Sequence, residues 1–249
     1  MFYALFTFLK TLFNLLDLAW LTAVLWLGSF LPDWLNRRYY FRLFQVWSRF
    51  FVRALGVDLR LIQKNLKPLP SHYILIANHP SAFEDVGIPA LFPVHSLAKI
   101  EVGGWFIVGR ISKASGTLYV QRESRESRKA ALEAMVEAVK SGINIALYPE
   151  GGCTGRRLNP RFLNGAFEVS MRTGVPLLPV FLEYEAQDDF EWQNQTLPMK
   201  LWQIMRTRNP RANYHVFDAI DPSGFEDVES YKQAVYAQYQ TWNRRYLEE

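Results

Sequence analysis

The chain has 249 residues, 49% of them apolar and 21% charged, with a net charge of +4. That length suits one substantial domain with an appended segment, and the apolar content is enough for a sizeable core and excludes a disordered chain. A single cysteine, Cys153, excludes an internal disulfide, while four histidines with no His-Glu-x-x-His run give neither a zinc finger nor a zincin site.

The first 31 residues are dense in Leu, Phe and Trp, but Lys10, Asn14 and Asp17 interrupt them, leaving an uncharged apolar run from Leu18 to Pro32. A spanning helix wants roughly 20 such residues. The segment therefore fits either a tilted span starting near Thr11 or a shallow helix that never crosses. A cleaved signal peptide is not expected, because no basic cluster opens the segment and no small-residue cleavage site closes it. From Asp33 to Ala54 the arginines Arg38, Arg42, Arg49 and Arg53 fall on one helical face, with Phe41, Phe44, Trp47, Phe51 and Leu55 on others. Such a helix suits a membrane interface, with its arginines at lipid phosphates. The competing interpretation is a surface helix packed on the core; the apolar helix before it favours the membrane. Gly56 is the expected stop. Arg37, Arg38 and Arg42 after the apolar segment predict that this side faces the cytoplasm.

Beyond residue 56 the pattern alternates. Strands are predicted at Val57 to Gln63, Tyr73 to Ala77, near His95 to Val102, Gly116 to Gln121, Ile143 to Leu147, Val175 to Tyr184 and Ala212 to Ala219. The clearest helix runs from Ser124 to Ser141, with Ala131, Leu132, Met135, Val136 and Val139 on one face and Gly142 as its stop. A last helix falls near Phe225 to Tyr246. The expected fold is α/β, a layered sheet flanked by helices, with an N-terminal membrane-associated helical pair. Residues 1–56 form the anchoring helices and 57–249 the catalytic domain.

Two predicted strands end in polar turns, where α/β folds keep their chemistry. The first reads Asn78-His-Pro-Ser-Ala-Phe-Glu-Asp85. If a helix begins at Ser81, His79 and Glu84 reach one mouth, and a carboxylate orienting an imidazole makes a general base. Ser81 and Glu84 also have capping-box spacing, in which Glu84 only satisfies backbone donors. The second turn reads Tyr148-Pro-Glu-Gly-Gly-Cys-Thr-Gly-Arg-Arg157. Between the two lies Gly116-Thr-Leu-Tyr-Val-Gln-Arg122, and after them Gly174-Val-Pro-Leu-Leu-Pro-Val180.

These four ordered blocks, from Tyr73 to Leu182, resemble the glycerolipid acyltransferase superfamily, typified by 1-acylglycerol-3-phosphate acyltransferases. Its pattern runs Asn-His-x4-Asp, Gly-x-x-Phe-Ile-x-Arg, Phe-Pro-Glu-Gly-Thr-Arg-Ser and Val-Pro-Ile-x-Pro-Val. Here Glu84 stands where most members have Asp, with Asp85 beside it, so either carboxylate could orient His79. Cys153 stands where many members carry a phosphate-binding Arg, a form similar to that of lysophosphatidylcholine acyltransferases. The helical pair ahead of the domain also resembles the family's membrane anchor.

The resemblance implies a membrane-bound enzyme that moves an acyl chain from acyl-CoA or acyl carrier protein to a lysophospholipid hydroxyl. It implies His79 and Glu84 as catalytic residues and Arg122, Glu150 and Gly151 at the acceptor site, with Arg156 or Arg157 as a displaced cation. Without the flanking blocks, Arg122 would pair with Glu123 or Glu126, and Glu150 would cap the following turn. Backbone amides at Gly151 and Gly152 are candidate oxyanion donors. No resident cofactor, metal or nucleic-acid partner is expected. Rivals are a hydrolase using Cys153, a noncatalytic membrane-binding protein with a degenerate site, and a lipid A-type acyltransferase, which shares the His-x4-Asp/Glu pair.

Overall fold

The computed structural model describes residues 2–153, 155–193 and 195–248, and the side chains of residues 2–4, 7 and 33–38 lie outside that description. In chain order the elements are α1 Phe2–Gly28, α2 Asp33–Ala54, β1 Asp58–Gln63, β2 Ile74–Ala77, α3 Glu84–Leu91, β3 His95–Lys99, α4 Ile100–Gly103, α5 Val108–Ala114 and β4 Leu118–Val120. They continue with α6 Arg125–Lys140, β5 Ile145–Leu147, α7 Gly165–Thr173, β6 Leu177–Tyr184, α8 Gln187–Phe190, α9 Leu197–Met205, β7 Arg211–Val216 and α10 Val228–Asn243.

The strands form one sheet in the order β1-β7-β6-β2-β5-β3-β4. Every neighbouring pair is parallel except β6 with β7. Helices cover both faces, which is why the central strands are apolar without alternation. In β2 the side chains of Leu75 and Ala77 join the core beneath α2 and α3, while Ile74 and Ile76 face α6, α7 and α10. The long connections from β2 to β3 and from β5 to β6 leave from the carboxyl ends of β2 and β5, which lie side by side, the position at which open α/β sheets bind ligands.

Several predicted boundaries move. The helix expected from Ser81 starts at Glu84, because the preceding residues form a turn that Glu84 itself closes. The strand expected to reach Val102 stops at Lys99 and turns into α4. There the backbones of Gly103 and Gly109 approach so closely that a Cβ on Gly109 would overlap the Gly103 carbonyl. The clearest predicted helix is present as α6, capped by Ser124, whose hydroxyl accepts from the Ser127 amide, and stopped at Gly142 (φ 87°). The last helix begins at Val228 behind an Asp227–Ser230 capping box.

α1 and α2 form a hairpin held by side-chain hydrogen bonds along its length. Tyr40 donates to the Leu25 carbonyl (2.8 Å), Trp47 to the Thr22 hydroxyl (2.8 Å) and Asn14 to the Arg53 carbonyl (3.3 Å). The other side of α2 is seated on the α/β layer: Val52 and Leu55 enter its core, and Gln45 donates to the Pro89 and Phe92 carbonyls. Arg49, expected at lipid phosphates, donates to the Ala90 carbonyl at 3.0 Å. The interpretation of α2 as a helix packed on the core therefore holds for this face, and the Arg37 and Arg38 side chains lie outside the described residues.

Candidate active site

Asn78 closes β2 and fixes the direction of the turn. Its side-chain amide is 4% exposed and clamps β6, donating to the Leu182 carbonyl (3.0 Å) and accepting from the Leu182 amide (2.7 Å). His79 follows, so its ring leaves the sheet at a fixed place. Its imidazole stacks on Tyr148, from the end of β5, with centroids 4.1 Å apart and planes 12° from parallel. Asn78 and Tyr148 each begin one of the two motif turns, but the role of neither side chain was read from the sequence. Asparagine is common at strand ends, and the stacking joins two turns that are far apart along the chain.

Glu84 is fully buried. One carboxylate oxygen accepts the Ser81 amide at 2.7 Å and lies 3.9 Å from His79 Nδ1. The capping and orienting interpretations thus fall on the same oxygen. At 3.9 Å the His79 contact is an ion-pair distance and not a hydrogen bond, and both His79 Nδ1 and the second Glu84 oxygen are buried without a hydrogen-bond partner. Asp85 is exposed at the rim, within the electrostatic reach of His79 and Arg122. Glu84 is the carboxylate seated beside the ring.

Burial disfavours the imidazolium, but the carboxylates of Glu84, Asp85 and Glu150 outweigh it and hold the His79 pKa above its ordinary value. Burial likewise pushes the Glu84 carboxyl up, against the pull of His79 and of the Ser81 amide. The Cys153 thiol is driven up by burial and by the field of Glu84, so it stays protonated at neutral pH. A thiol pushed up in this way is a poor nucleophile at neutral pH.

Glu150 joins the two turns. It is 5% exposed; one oxygen accepts the His79 amide (2.7 Å) and the other the Asn159 amide (2.7 Å). Gly151 follows at φ 72°, where a Cβ would run into Leu163, so only glycine makes this turn without strain. The Gly151 amide donates to the Tyr148 carbonyl at 3.0 Å, which takes it out of the expected oxyanion role. Arg122 arrives from the loop after β4 and donates to the Gly151 carbonyl. Its guanidinium is therefore placed beside the turn, and among the described residues it pairs with neither Glu123 nor Glu126.

Arg156 is placed differently. Its guanidinium donates to Glu191 (2.9 Å) and pairs with Asp188, so its charge is matched within the loop. The structure thus brings together His79, Glu84, Arg122, Glu150 and Gly151, and leaves Arg156 in an ion-pair cluster of its own. An α/β sheet presenting a buried imidazole–carboxylate pair with a cation beside it can accept a proton from a hydroxyl and hold an anionic group nearby. Fold and site together fit the class of group-transfer enzymes.

The comparisons with known proteins narrow this class. The family model described as Acyltransferase matches residues 60–183. The chain is 25% identical over 178 residues to the 1-acyl-sn-glycerol-3-phosphate acyltransferase of Neisseria gonorrhoeae, covering 68% of this chain and 69% of that one. It is 27% identical over 168 residues to the lyso-ornithine lipid O-acyltransferase of Pseudomonas aeruginosa, covering 65% and 64%. The crystal structure of the 1-acyl-sn-glycerophosphate acyltransferase PlsC from Thermotoga maritima superposes with a TM-score of 0.69 over 96% of this chain and 95% of that one, at 18% identity. The chain belongs to the glycerolipid acyltransferase superfamily and is an O-acyltransferase.

Proposed function

We propose that the chain transfers an acyl group from a thioester donor, acyl-CoA or acyl carrier protein, to the free hydroxyl of a lysophospholipid such as 1-acylglycerol-3-phosphate. His79 acts as the general base. The supporting observation is the arrangement around its ring, stacked on Tyr148 with Glu84 3.9 Å from Nδ1. With Nδ1 turned to a buried carboxylate, Nε2 is the nitrogen left to take the hydroxyl proton. The acceptor oxygen then bonds to the thioester carbon, the carbon–sulfur bond breaks, and the thiolate leaves to take up a proton. Glu84 stabilises the imidazolium formed on the way. General-base catalysis of this kind is worth ~10²–10⁴-fold.

Arg122 supplies the cation for the phosphate of the acceptor, since Arg156 is already matched by Glu191 and Asp188. Glu150 acts through the turns it joins, setting the height of His79 against Arg122. The relatives are named for 1-acyl-sn-glycerol-3-phosphate, lyso-ornithine lipid and lysophosphatidylcholine acceptors.

α1 carries a 21-residue stretch, Phe8–Gly28, long and apolar enough to cross a bilayer. Its hydrogen bonds to α2, and the seat of α2 on α3, favour a hairpin lying in one leaflet with residues 57–249 resting on the cytoplasmic surface. A crossing α1 would have to leave α2, break the contacts at Tyr40 and Trp47, and expose the cluster around Leu25.

The test is an incubation of the purified protein with acyl-CoA or acyl-loaded carrier protein and a panel of lysolipids, with products read by mass spectrometry. A diacyl product from a phosphate-headed acceptor is expected. No product from any pairing, with folded protein that still binds liposomes, would favour the noncatalytic alternative.

A further inference from the structure

A second concave site lies at the opposite end of the sheet. It is a groove of about 620 Å³, within the size range of sites for small amphiphiles. Its floor is apolar, formed by Leu118, Ile143 and Ala138, and its walls carry Arg42 from α2 and Lys113 from α5. Phe41 and His95 close one side, stacked 4.2 Å apart with planes 4° from parallel. No acidic residue lines it. Among the described residues, neither Arg42 nor Lys113 has a hydrogen-bond or ion-pair partner for its side chain, in contrast to Arg49, Arg156 and Arg172.

The groove is separate from the active site. His95 pairs with Ile145 and Ile145 with Ile74, five residues before His79, a separation of about 16 Å along the strands. Two unmatched cations above an apolar floor fit a ligand with an anionic head and a hydrocarbon tail. The neighbouring surface indicates where such a ligand would come from. α5, which carries Lys113 in its last turn, follows directly on the exposed residues Trp105, Phe106 and Ile107, and Arg110 on the same helix stacks over Phe30 at the tip of the α1–α2 hairpin, 3.5 Å from the ring centroid. The segments that lead into the two helices of the walls, at Phe30 and Leu31 and at Trp105 to Ile107, therefore present exposed apolar side chains.

We infer that the groove is a binding site for an anionic phospholipid of the bilayer, with its phosphate between Arg42 and Lys113 and one acyl chain on Leu118 and Ile143. The site is distinct from the acceptor site and does not depend on the role of His79. Because α2 also bonds to α3, which begins with Glu84, an occupied groove fastens the hairpin to the helix that carries the catalytic carboxylate.

The test is native mass spectrometry of the full-length protein in detergent micelles, titrated with phosphatidylglycerol or phosphatidylcholine. Phosphatidylglycerol is expected to be retained at one copy more per chain than phosphatidylcholine. Arg42→Glu with Lys113→Glu removes the charge match, and Ala138→Trp fills the floor without touching charge. Each is expected to lower that retention roughly tenfold or more, with transfer activity in neutral micelles kept within about twofold. Equal retention of the two lipids, retention unchanged in both variants, or displacement of the lipid by free coenzyme A would overturn the inference, the last by assigning the groove to the acyl donor.

Discussion

In β2 the residues Ile74, Leu75, Ile76 and Ala77 are all fully buried, whereas Phe8, Phe13 and Trp20 of α1 stand 63%, 63% and 70% exposed. Both stretches are apolar. The difference lies in what covers them: β2 has helices on both faces, while α1 packs on α2 and, near its end, on Ile111 of α5, leaving Phe8, Phe13 and Trp20 uncovered. Burying a large apolar side chain is worth ~1.5–3 kcal/mol, so several uncovered aromatic residues on one helix represent a deficit that a lipid phase would remove. The same residue types build a closed core that aims polar groups in one region and an open face that seeks a surface in the other. The turns after β2 and β5 are held by buried polar contacts at Asn78, Glu84 and Glu150, whereas the hairpin is held by the hydrogen bonds of Tyr40, Trp47 and Asn14 and turns its apolar side chains outward.

Substitutions separate the two regions. The largest effect is expected from His79→Ala, which should lower the transfer rate by ~10²–10⁴-fold while the melting temperature and liposome binding stay at wild-type values; retention of most activity would break the assignment. Arg122→Ala should raise KM for a phosphate-headed acceptor by roughly ten- to a hundredfold, the value of a charge-assisted hydrogen bond, and should change KM for a phosphate-free acceptor much less. Steady-state kinetics on both acceptors would show whether the selectivity exists. On the hairpin, Phe13→Asp with Trp20→Asp should weaken sedimentation with liposomes by roughly tenfold or more and leave the rate on micellar substrate within a few fold. The smallest effect is expected at Arg156. Arg156→Ala removes ion pairs that are 40% exposed on the Arg side, so KM for the acceptor should move less than about threefold, and a larger rise would return Arg156 to the acceptor site.

Much of this layout was legible in the chain. Continuous apolar runs bounded by polar turns identify β2, β5 and β6, because strands buried on both faces need no alternation, and the position of His79 after such a run marks the candidate site. The dual use of the Glu84 carboxylate was not legible. Capping box and orienting carboxylate require the same spacing, and only the coordinates show one oxygen shared by the Ser81 amide and the neighbourhood of His79 Nδ1. Glu150 is a second example. Its place in the turn could be read, but its two bonds to the His79 and Asn159 amides depend on how two distant turns meet. The arginine spacing of α2 showed a helix with a basic face, yet could not tell Arg49, seated on the Ala90 carbonyl, from Arg42, which faces an open groove.

The pairing of His79 with Glu84 is tested most directly by the pH dependence of kcat/KM in the wild type and in Glu84→Gln. His79 must be neutral to accept a proton, so activity should fall as pH drops through its pKa, which the surrounding carboxylates hold above the ordinary value of about 6.5. Removing the Glu84 charge leaves burial, which favours the neutral ring, less opposed. The acid limb of Glu84→Gln should therefore shift to lower pH, together with a lower maximum rate. An acid limb in the same place in both proteins, or displaced upward in the variant, would contradict the pairing.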